Sequence, residues 1–360
     1  MIVIILYSLM ILLFIVGLIR LPKTEIDKTI PQKKISILIP FRNEENTLDA
    51  LLKSIQHLEY NSDNFEILLI DDESTDASVK IIKRWLDKIP NLKILNNHRV
   101  SNSPKKDAIQ VGVRGAQFDF IITTDADCIL PKNWLLAYNT IIHQKQSLFV
   151  AGPIALKTQK NFVEQYQKYD NLSLIGVTIG SFGIKHPMMC NAANMGFDKN
   201  VYLQMQSHQT NITSGDDVFT LENFVKQFPK KVHYLNTTDA LVVTKAENNW
   251  KSVIQQRIRW AAKSTHYKSL FTKTIGLLVL ITQLSIVVGL ILKPFFTFYL
   301  LLVKIGIDFV IIIITSKKLK QKISIPQYVL MGILYPFLNT SIGIKALFGG
   351  YHWKGRNFKR

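Results

Sequence analysis

Residues Ile121–Leu130 read IITTDADCIL, and the fold is decided there. The apolar, β-branched run from Phe120 to Thr124 has the composition of a buried strand. It stops at Asp125-Ala126-Asp127, and Pro131 then stands where a helix through Trp134 and Leu135 would begin. Two carboxylates at i and i+2 just past a strand end can point the same way into a cleft. Such a pair stays ionised cheaply only beside a cation, and a hard, oxygen-ligated ion such as Mg²⁺ or Mn²⁺ suits it. Substrate phosphates typically complete the shell of such an ion. An isolated Asp-x-Asp is more often a solvated acidic turn, so the weight comes from the rest of the chain.

Upstream, from Ile35, short apolar strands alternate with amphipathic helices. Strands are expected over Ile35–Ile39, Phe65–Ile70 and, more weakly, Lys93–Asn96. Helical spacing covers Glu45–Leu58, Ser78–Ile89 and Asp107–Ala116. Strands separated by single helices predict an α/β fold with a mostly parallel sheet and ligands at the strand C-terminal ends. The residues with chemical character fall at those ends. They are Pro40-Phe41-Arg42-Asn43-Glu44, Asp71 through Asp76, Ser103 through Ile109 with Lys105 and Lys106, and the Asp125/Asp127 pair. Taken singly, Asp72 to Asp76 reads equally as an Asx turn capping a helix, and the two lysines as solvated helix-start charges. Together, four polar strand ends could converge on a nucleotide diphosphate.

These motifs, in this order, resemble the family 2 glycosyltransferases with their nucleotide-sugar-binding, Rossmann-like GT-A fold. The resemblance spans Lys34–Lys263. It implies donor contacts from Pro40, Arg42 and Glu44, with Asp72 recognising the nucleotide base and Lys105 near the donor. It makes Asp127 the direct metal ligand, with Asp125 beside it and nearer the donor ribose or sugar. Cys190 through Gly196 resembles the family's small-residue loop beneath the acceptor, where Ala192 and Ala193 would let substrate approach the backbone. Ser214-Gly215-Asp216-Asp217 is similar to the motif that carries the catalytic base, which implies that role for Asp217 and a supporting one for Asp216. Spacing alone reads the same two residues as the cap of a helix over Val218–Phe228.

Gln256-Arg257-Ile258-Arg259-Trp260 matches the family's Q-x-x-R-W motif, found in membrane-embedded members. Gln256, Arg259 and Trp260 stand at i, i+3 and i+4 and share one helix face. Trp260 offers an aromatic surface to a sugar, and Arg259 can pair with diphosphate oxygens. An interfacial helix anchored by Trp and Arg at headgroup level fits the same spacing.

The 360 residues are 48% hydrophobic with a net charge of +18. The charge could suggest nucleic acid, but Lys317, Lys318, Lys320 and Lys322, and Lys354, Arg356, Lys359 and Arg360, crowd beside apolar segments. That is the pattern of positive-inside anchoring, not of nucleic-acid binding. Residues 1–20 read as an uncleaved membrane anchor whose C-terminal end, at Arg20, is cytoplasmic. A polar linker over 21–34, the catalytic domain over 35–263, a membrane region over 274–350 and a basic tail over 351–360 follow. Ile275–Leu292 and Phe295–Thr315 have the length of spans, joined at Lys293-Pro294, and Lys304 and Asp308 are expected to pair. Tyr328–Phe348, with Pro336, Asn339, Thr340 and Ser341, reads as re-entrant, or else as a third crossing. Cys128 and Cys190 are expected as buried thiols without zinc-ligand spacing.

The combined expectation is a multi-pass membrane-bound inverting glycosyltransferase with a cytoplasmic catalytic domain. It would move a sugar from a nucleotide-diphosphate donor to a lipid-linked or glycan acceptor, with Mg²⁺ or Mn²⁺. Processive polysaccharide synthesis is the alternative within that class. A nucleotidyltransferase would need neither Asp217 nor Gln256–Trp260, and a non-catalytic scaffold would not retain Asp72, Asp125, Asp127 and Asp217.

Overall fold

In a computed structural model of the protein, described over residues 1–101, 103–159, 161–205, 216–348, 351–353 and 356–358, the chain packs as two compact units. One comprises Pro22–Ala155 and Met189–Lys245. The other gathers Met1–Leu21, Leu156–Met188 and Ala246–Arg360.

The first unit is an α/β layer structure. Its strands are β1 (Ile35–Phe41), β2 (Phe65–Asp71), β3 (Leu92–Asn96), β4 (Phe120–Thr123), β5 (Phe149–Ala151), β7 (Met195–Asp198) and β8 (Val232–Tyr234), in the order β3-β2-β1-β4-β7-β5-β8. The first four run parallel, as the alternating pattern predicts, with Phe41 opposite Asp71 and Leu38 opposite Thr123. Strand β7 is antiparallel to both its neighbours, and β5 and β8 run parallel. β6 (Ile154–Lys157) and β9 (Val242–Lys245) form a separate ribbon.

Helices α2 (Leu48–Gln56), α3 (Ser78–Lys83), α4 (Pro104–Gly115) and α5 (Trp134–Lys145) connect or flank the sheet, and α7 (Lys199–Met205) and α8 (Asp216–Gln227) follow β7. Helix α3 is shorter than its periodicity predicts. From Arg84 the backbone closes with i→i−3 bonds, and Trp85 turns its indole N–H onto Asp49 at 2.9 Å. The apolar faces of α2, α3 and α5 meet the sheet in one core, in which Trp134, Tyr138 and Phe120 are almost fully buried.

The segment expected as a linker is strapped to this unit. Asn139 on α5, fully buried, accepts from the Lys33 N–H at 2.9 Å and donates to the Pro31 carbonyl at 3.2 Å. Thr24 and Pro22 are tied in the same way to Asn236.

The second unit is helical: α1 (Ile2–Arg20), α6 (Phe162–Gly183), α9 (Trp250–Lys263), α10 (Leu270–Leu292), α11 (Pro294–Lys318) and α12 (Ile325–Phe348), with a final antiparallel strand pair, β10 (Tyr351–Trp353) and β11 (Arg356–Phe358). Within it α1, α10, α11 and α12 are long and apolar enough to cross a membrane. Helix α12 continues unbroken through Pro336.

The 22-residue α6 has no counterpart in the sequence pattern, which counts its residues with the catalytic domain. It packs backbone to backbone on α1, where a Cβ at Gly17, Gly180 or Gly183 would overlap main-chain atoms of the other helix. Small residues permit such close approach in membrane helix pairs. Lys304 and Asp308 pair at 2.6 Å, and Tyr7 of α1 donates to Asp308 at 2.8 Å.

Candidate active site

The parallel register brings the C-terminal ends of β1, β2, β3 and β4 to one edge of the sheet. The polar segments that follow them therefore lie side by side. Backbone bonds lace the first two loops together: the Asn43 N–H donates to Ser74 Oγ at 3.1 Å and the Thr75 N–H to Asn43 Oδ1 at 2.8 Å. Asn43 (φ 53°) and Glu73 (φ 58°) are both left-handed. For glutamate this is a costly conformation, of a kind that persists where surrounding contacts enforce it and that clusters at functional sites.

Asp72, just past β2, is buried and clasped. Its Oδ1 accepts from Arg99 Nε at 2.6 Å and Asn97 Nδ2 at 2.8 Å, and its carbonyl accepts from Arg42 Nη1 at 2.7 Å. Arg99 also reaches Glu73 Oε2 at 2.6 Å. The loop that carries Arg99 is pinned by Asp107 on α4, whose carboxylate accepts from the Val100 and Ser101 N–H groups and from Ser101 Oγ. Arg99 and Asn97 were missed in the sequence, although the same strand-end rule applied to β3 points straight at Asn97-His98-Arg99.

Of the other candidates, Pro40 lies in β1 opposite Ile70. The Glu44 N–H donates to Ser78 Oγ at 2.8 Å, and its carboxylate accepts from Thr47 Oγ1 at 2.9 Å. Glu44 therefore ties α2 to the β2 loop.

Lys105, in the first turn of α4, meets Asp125 Oδ1 at 2.5 Å. Asp127 Oδ2 accepts from Thr244 Oγ1 on β9 at 2.9 Å. Burial, and then the charge of Asp125, push the Asp127 carboxyl above its ordinary value, with Glu44 adding to the effect. The two carboxylates thus carry a repulsion that a divalent cation would relieve. Cys128 Sγ lies 3.8 Å from Asp127 Oδ1, and hard carboxylate oxygens are what Mg²⁺ or Mn²⁺ takes. No group of three or more His, Cys, Asp or Glu side chains able to hold a metal stands among the described residues. Asp125 and Asp127 fit such an ion, and its remaining ligands would be other oxygens.

Cys128 is buried beside them, and burial followed by the charges of Asp127 and Asp125 raises its pKa well above the usual thiol value. Cys190 is half-buried, less enclosed than the sequence suggests, and its Sγ donates to the Asp217 carbonyl at 3.2 Å. Asp217 stands in the first turn of α8, with Oδ1 accepting the Val218 N–H at 2.9 Å. For Asp216 only the backbone is described, and Ser214 and Gly215 lie outside the described residues.

In the loop Asn191–Asn194, Ala192 is half-buried and Ala193 is packed in the core, 3% exposed. Asn194 ties the sheet to its surroundings. Its Oδ1 accepts from Trp134 Nε1 and Tyr138 OH, each at 3.0 Å, and its Nδ2 donates to the Pro153 and Ala240 carbonyls, each at 2.8 Å. Gln256, Arg259 and Trp260 lie on α9 of the helical unit. Gln256 donates to Glu247 at 3.3 Å, and Arg257, between the motif positions, holds both Gln256 and the Trp260 ring.

The sheet order and the strand-end acids can now be set beside known proteins. Residues 36–202 match the family model of glycosyl transferase family 2. This segment is similar to the glycosyl transferase family 2 domain. The cholesterol galactosyltransferase of Borreliella burgdorferi is 24% identical over 214 residues, covering 56% of this chain and 58% of the relative. The beta-monoglucosyldiacylglycerol synthase of Synechocystis is 26% identical over 107 residues, covering 30% of this chain and 22% of the relative. The chain thus spans 58% or less of the length of these curated relatives. Among solved structures, a mannosyltransferase from Pyrobaculum calidifontis in complex with GDP-Man and Mn²⁺ shares the fold. Its TM-score is 0.58 at 16% identity, with 96% of this chain and 95% of that chain covered. The matched segment holds Arg42, Asp72, Arg99, Lys105, Asp125 and Asp127, whereas Asp217 and the α9 residues follow it in the chain.

Proposed function

We propose that this protein is a membrane-bound inverting glycosyltransferase. In this reading it transfers a sugar from a nucleotide-diphosphate sugar to a lipid-linked or glycan acceptor at the cytoplasmic membrane face. The observation that carries the reading is the row of strand ends within the family 2 segment, where Asp72 with its arginines, Lys105 and the Asp125/Asp127 pair share one edge of a parallel sheet.

Asp72 faces the base, and its Oδ1 is fixed by Arg99 and Asn97. Lys105 supplies positive charge beside the diphosphate. Asp125 and Asp127 would hold Mg²⁺ or Mn²⁺, which when bound neutralises the leaving diphosphate. Asp217 accepts the proton of the acceptor hydroxyl as its oxygen attacks the anomeric carbon, with Asp216 in support. Gln256, Arg259 and Trp260 serve the acceptor and diphosphate side. The relatives named for cholesterol and diacylglycerol products support a lipid acceptor, as do four helices long enough to span.

The test is sugar transfer by the full chain in lipid nanodiscs, with a panel of UDP- and GDP-sugars, Mn²⁺ and a total lipid extract. Asp127→Ala and Asp217→Ala should each lower transfer by about 10²-fold or more. Transfer that survives both changes contradicts the reading.

A further inference from the structure

Arg257 and Asp170 form a buried ion pair in the helical unit, Nε to Oδ2 at 2.7 Å, with side chains 9% and 5% exposed. Arg257 is a variable position of the Q-x-x-R-W stretch, yet its guanidinium is shared out among the motif's own residues. Nη1 donates to Gln256 Oε1 at 2.5 Å, and Cζ lies 4.2 Å from the centroid of the Trp260 ring. The other oxygen of Asp170 accepts from Tyr335 OH of α12 at 3.1 Å. The Tyr335 ring in turn lies 5.1 Å from the Lys304 ammonium, which pairs with Asp308. One chain of contacts therefore runs from α11 through α12 and α6 to the face of α9 that carries Gln256 and Trp260.

A buried ion pair is a poor device for stability alone, because apolar residues of the same volume often hold helices together as well or better. What an apolar pair cannot do is direct a planar fork at an amide oxygen and an aromatic ring together. Gln256 is held at both ends, since its Nε2 donates to Glu247 Oε1 at 3.3 Å and Glu247 is bonded through its backbone to Gln167 of α6. Trp260 receives a cation on its ring.

We propose that Asp170 and Arg257 are a positioning pair that presents Gln256 and Trp260 to the sugar acceptor. This rests on the functional reading above. Neither residue touches the reacting atoms. They hold Gln256 and Trp260, which that reading puts on the acceptor side, and they tie that geometry to the membrane helices through Tyr335.

The test compares Asp170→Asn, Arg257→Lys and the paired apolar replacement Asp170→Leu/Arg257→Met with the parent protein in nanodiscs. Lipid-directed transfer and donor KM are measured with the same UDP- and GDP-sugar panel and Mn²⁺. The pair predicts that transfer falls about tenfold or more in each variant while donor KM stays within about twofold. The apolar double should remain folded, with a melting temperature near the parent's, and should not regain transfer. Recovery of transfer in that double, or an equal loss in donor KM, overturns the proposal and leaves a merely structural pair. Trp260 emission, read as the difference from Trp260→Phe, supplies a readout independent of turnover and should change in the apolar double. A parent protein that turns over no nucleotide sugar contradicts the functional reading alone. An unchanged Trp260 signal in the apolar double would then overturn the pair by itself.

Discussion

Asn194 in the α/β unit and Lys304 in the helical unit are both almost wholly buried, at 0% and 1% exposed. They satisfy that burial in opposite ways. Asn194 is neutral and makes four hydrogen bonds to an indole, a phenol and two carbonyls. Lys304 pairs with Asp308 and is met by the rings of Tyr7 and Tyr335. The α/β unit sends its charges to the ends of its strands. Glu66 with Lys93 stands at one edge, and Asp72, Lys105, Asp125 and Asp127 stand at the other. Helices long and apolar enough to span a membrane have no such edge midway, so their charges turn inward and pair. Charge at a strand end remains available to a ligand, whereas charge inside a helical bundle is already spent on its neighbours and can act only through them.

The comparison is sharpened most by removing Asn194. Asn194→Ala strands two donors and two carbonyls in the core, at an expected cost of about 3–5 kcal/mol. It should lower the melting temperature of the detergent-solubilised chain by about 10 °C. A smaller fall, below about 3 °C, would mean that the neutral interior matters less than the contrast requires.

Arg99→Ala should behave oppositely. Arg99 is 28% exposed, and Asp72 keeps Asn97 and Arg42 without it, so the melting temperature should move little. Binding of UDP or GDP with Mn²⁺ should weaken about tenfold, because the Asp72 carboxylate loses a charged donor. A stability loss like that of Asn194→Ala with nucleotide binding intact would make Arg99 structural.

The smallest effect belongs to His233. Burial, and then Lys145 and Lys231, lower its pKa below the ordinary 6.5, while Ser147 bonds its Nδ1 at 2.8 Å. The unfolded chain therefore binds a proton more readily than the folded one. The stability His233 contributes is present above pH 6.5 and is lost as the pH falls below it. His233→Gln should flatten the decline in melting temperature between about pH 7 and pH 5, an effect of under about 1 kcal/mol. A slope as steep as the parent's would assign the decline to other groups.

The parallel half of the sheet was legible because buried strands read as apolar runs and strand ends are marked by the residues that stop them. Arg42, Asp72, Lys105, Asp125 and Asp127 stand after strand ends as that rule expects, and Arg99 was open to it. The antiparallel β7 and the short β5 and β8 were not legible, because they hold only three or four residues each and, unlike the equally short β4, no Asp-x-Asp marks their ends. Helix α6 was hidden for a different reason. Its second half, Leu172 through Gly183, is rich in glycine and β-branched residues, which favour helix poorly, and its stability comes from backbone contact with α1. Ala193 shows why a small residue is ambiguous, since it reads the same whether substrate or a packed core lies against it. The Arg257–Asp170 pair was invisible, since its partners lie 87 positions apart.

The central claim is that one sheet edge holds a nucleotide diphosphate with a divalent metal. The most direct measurement is calorimetric titration of UDP and of GDP into the full-length protein in detergent, with and without Mn²⁺, for the parent and for Asp125→Asn/Asp127→Asn. The account predicts that one nucleotide binds strongly only when Mn²⁺ is present, and that the double substitution abolishes this dependence. Binding of equal strength without Mn²⁺, or unchanged by the double substitution, would contradict it.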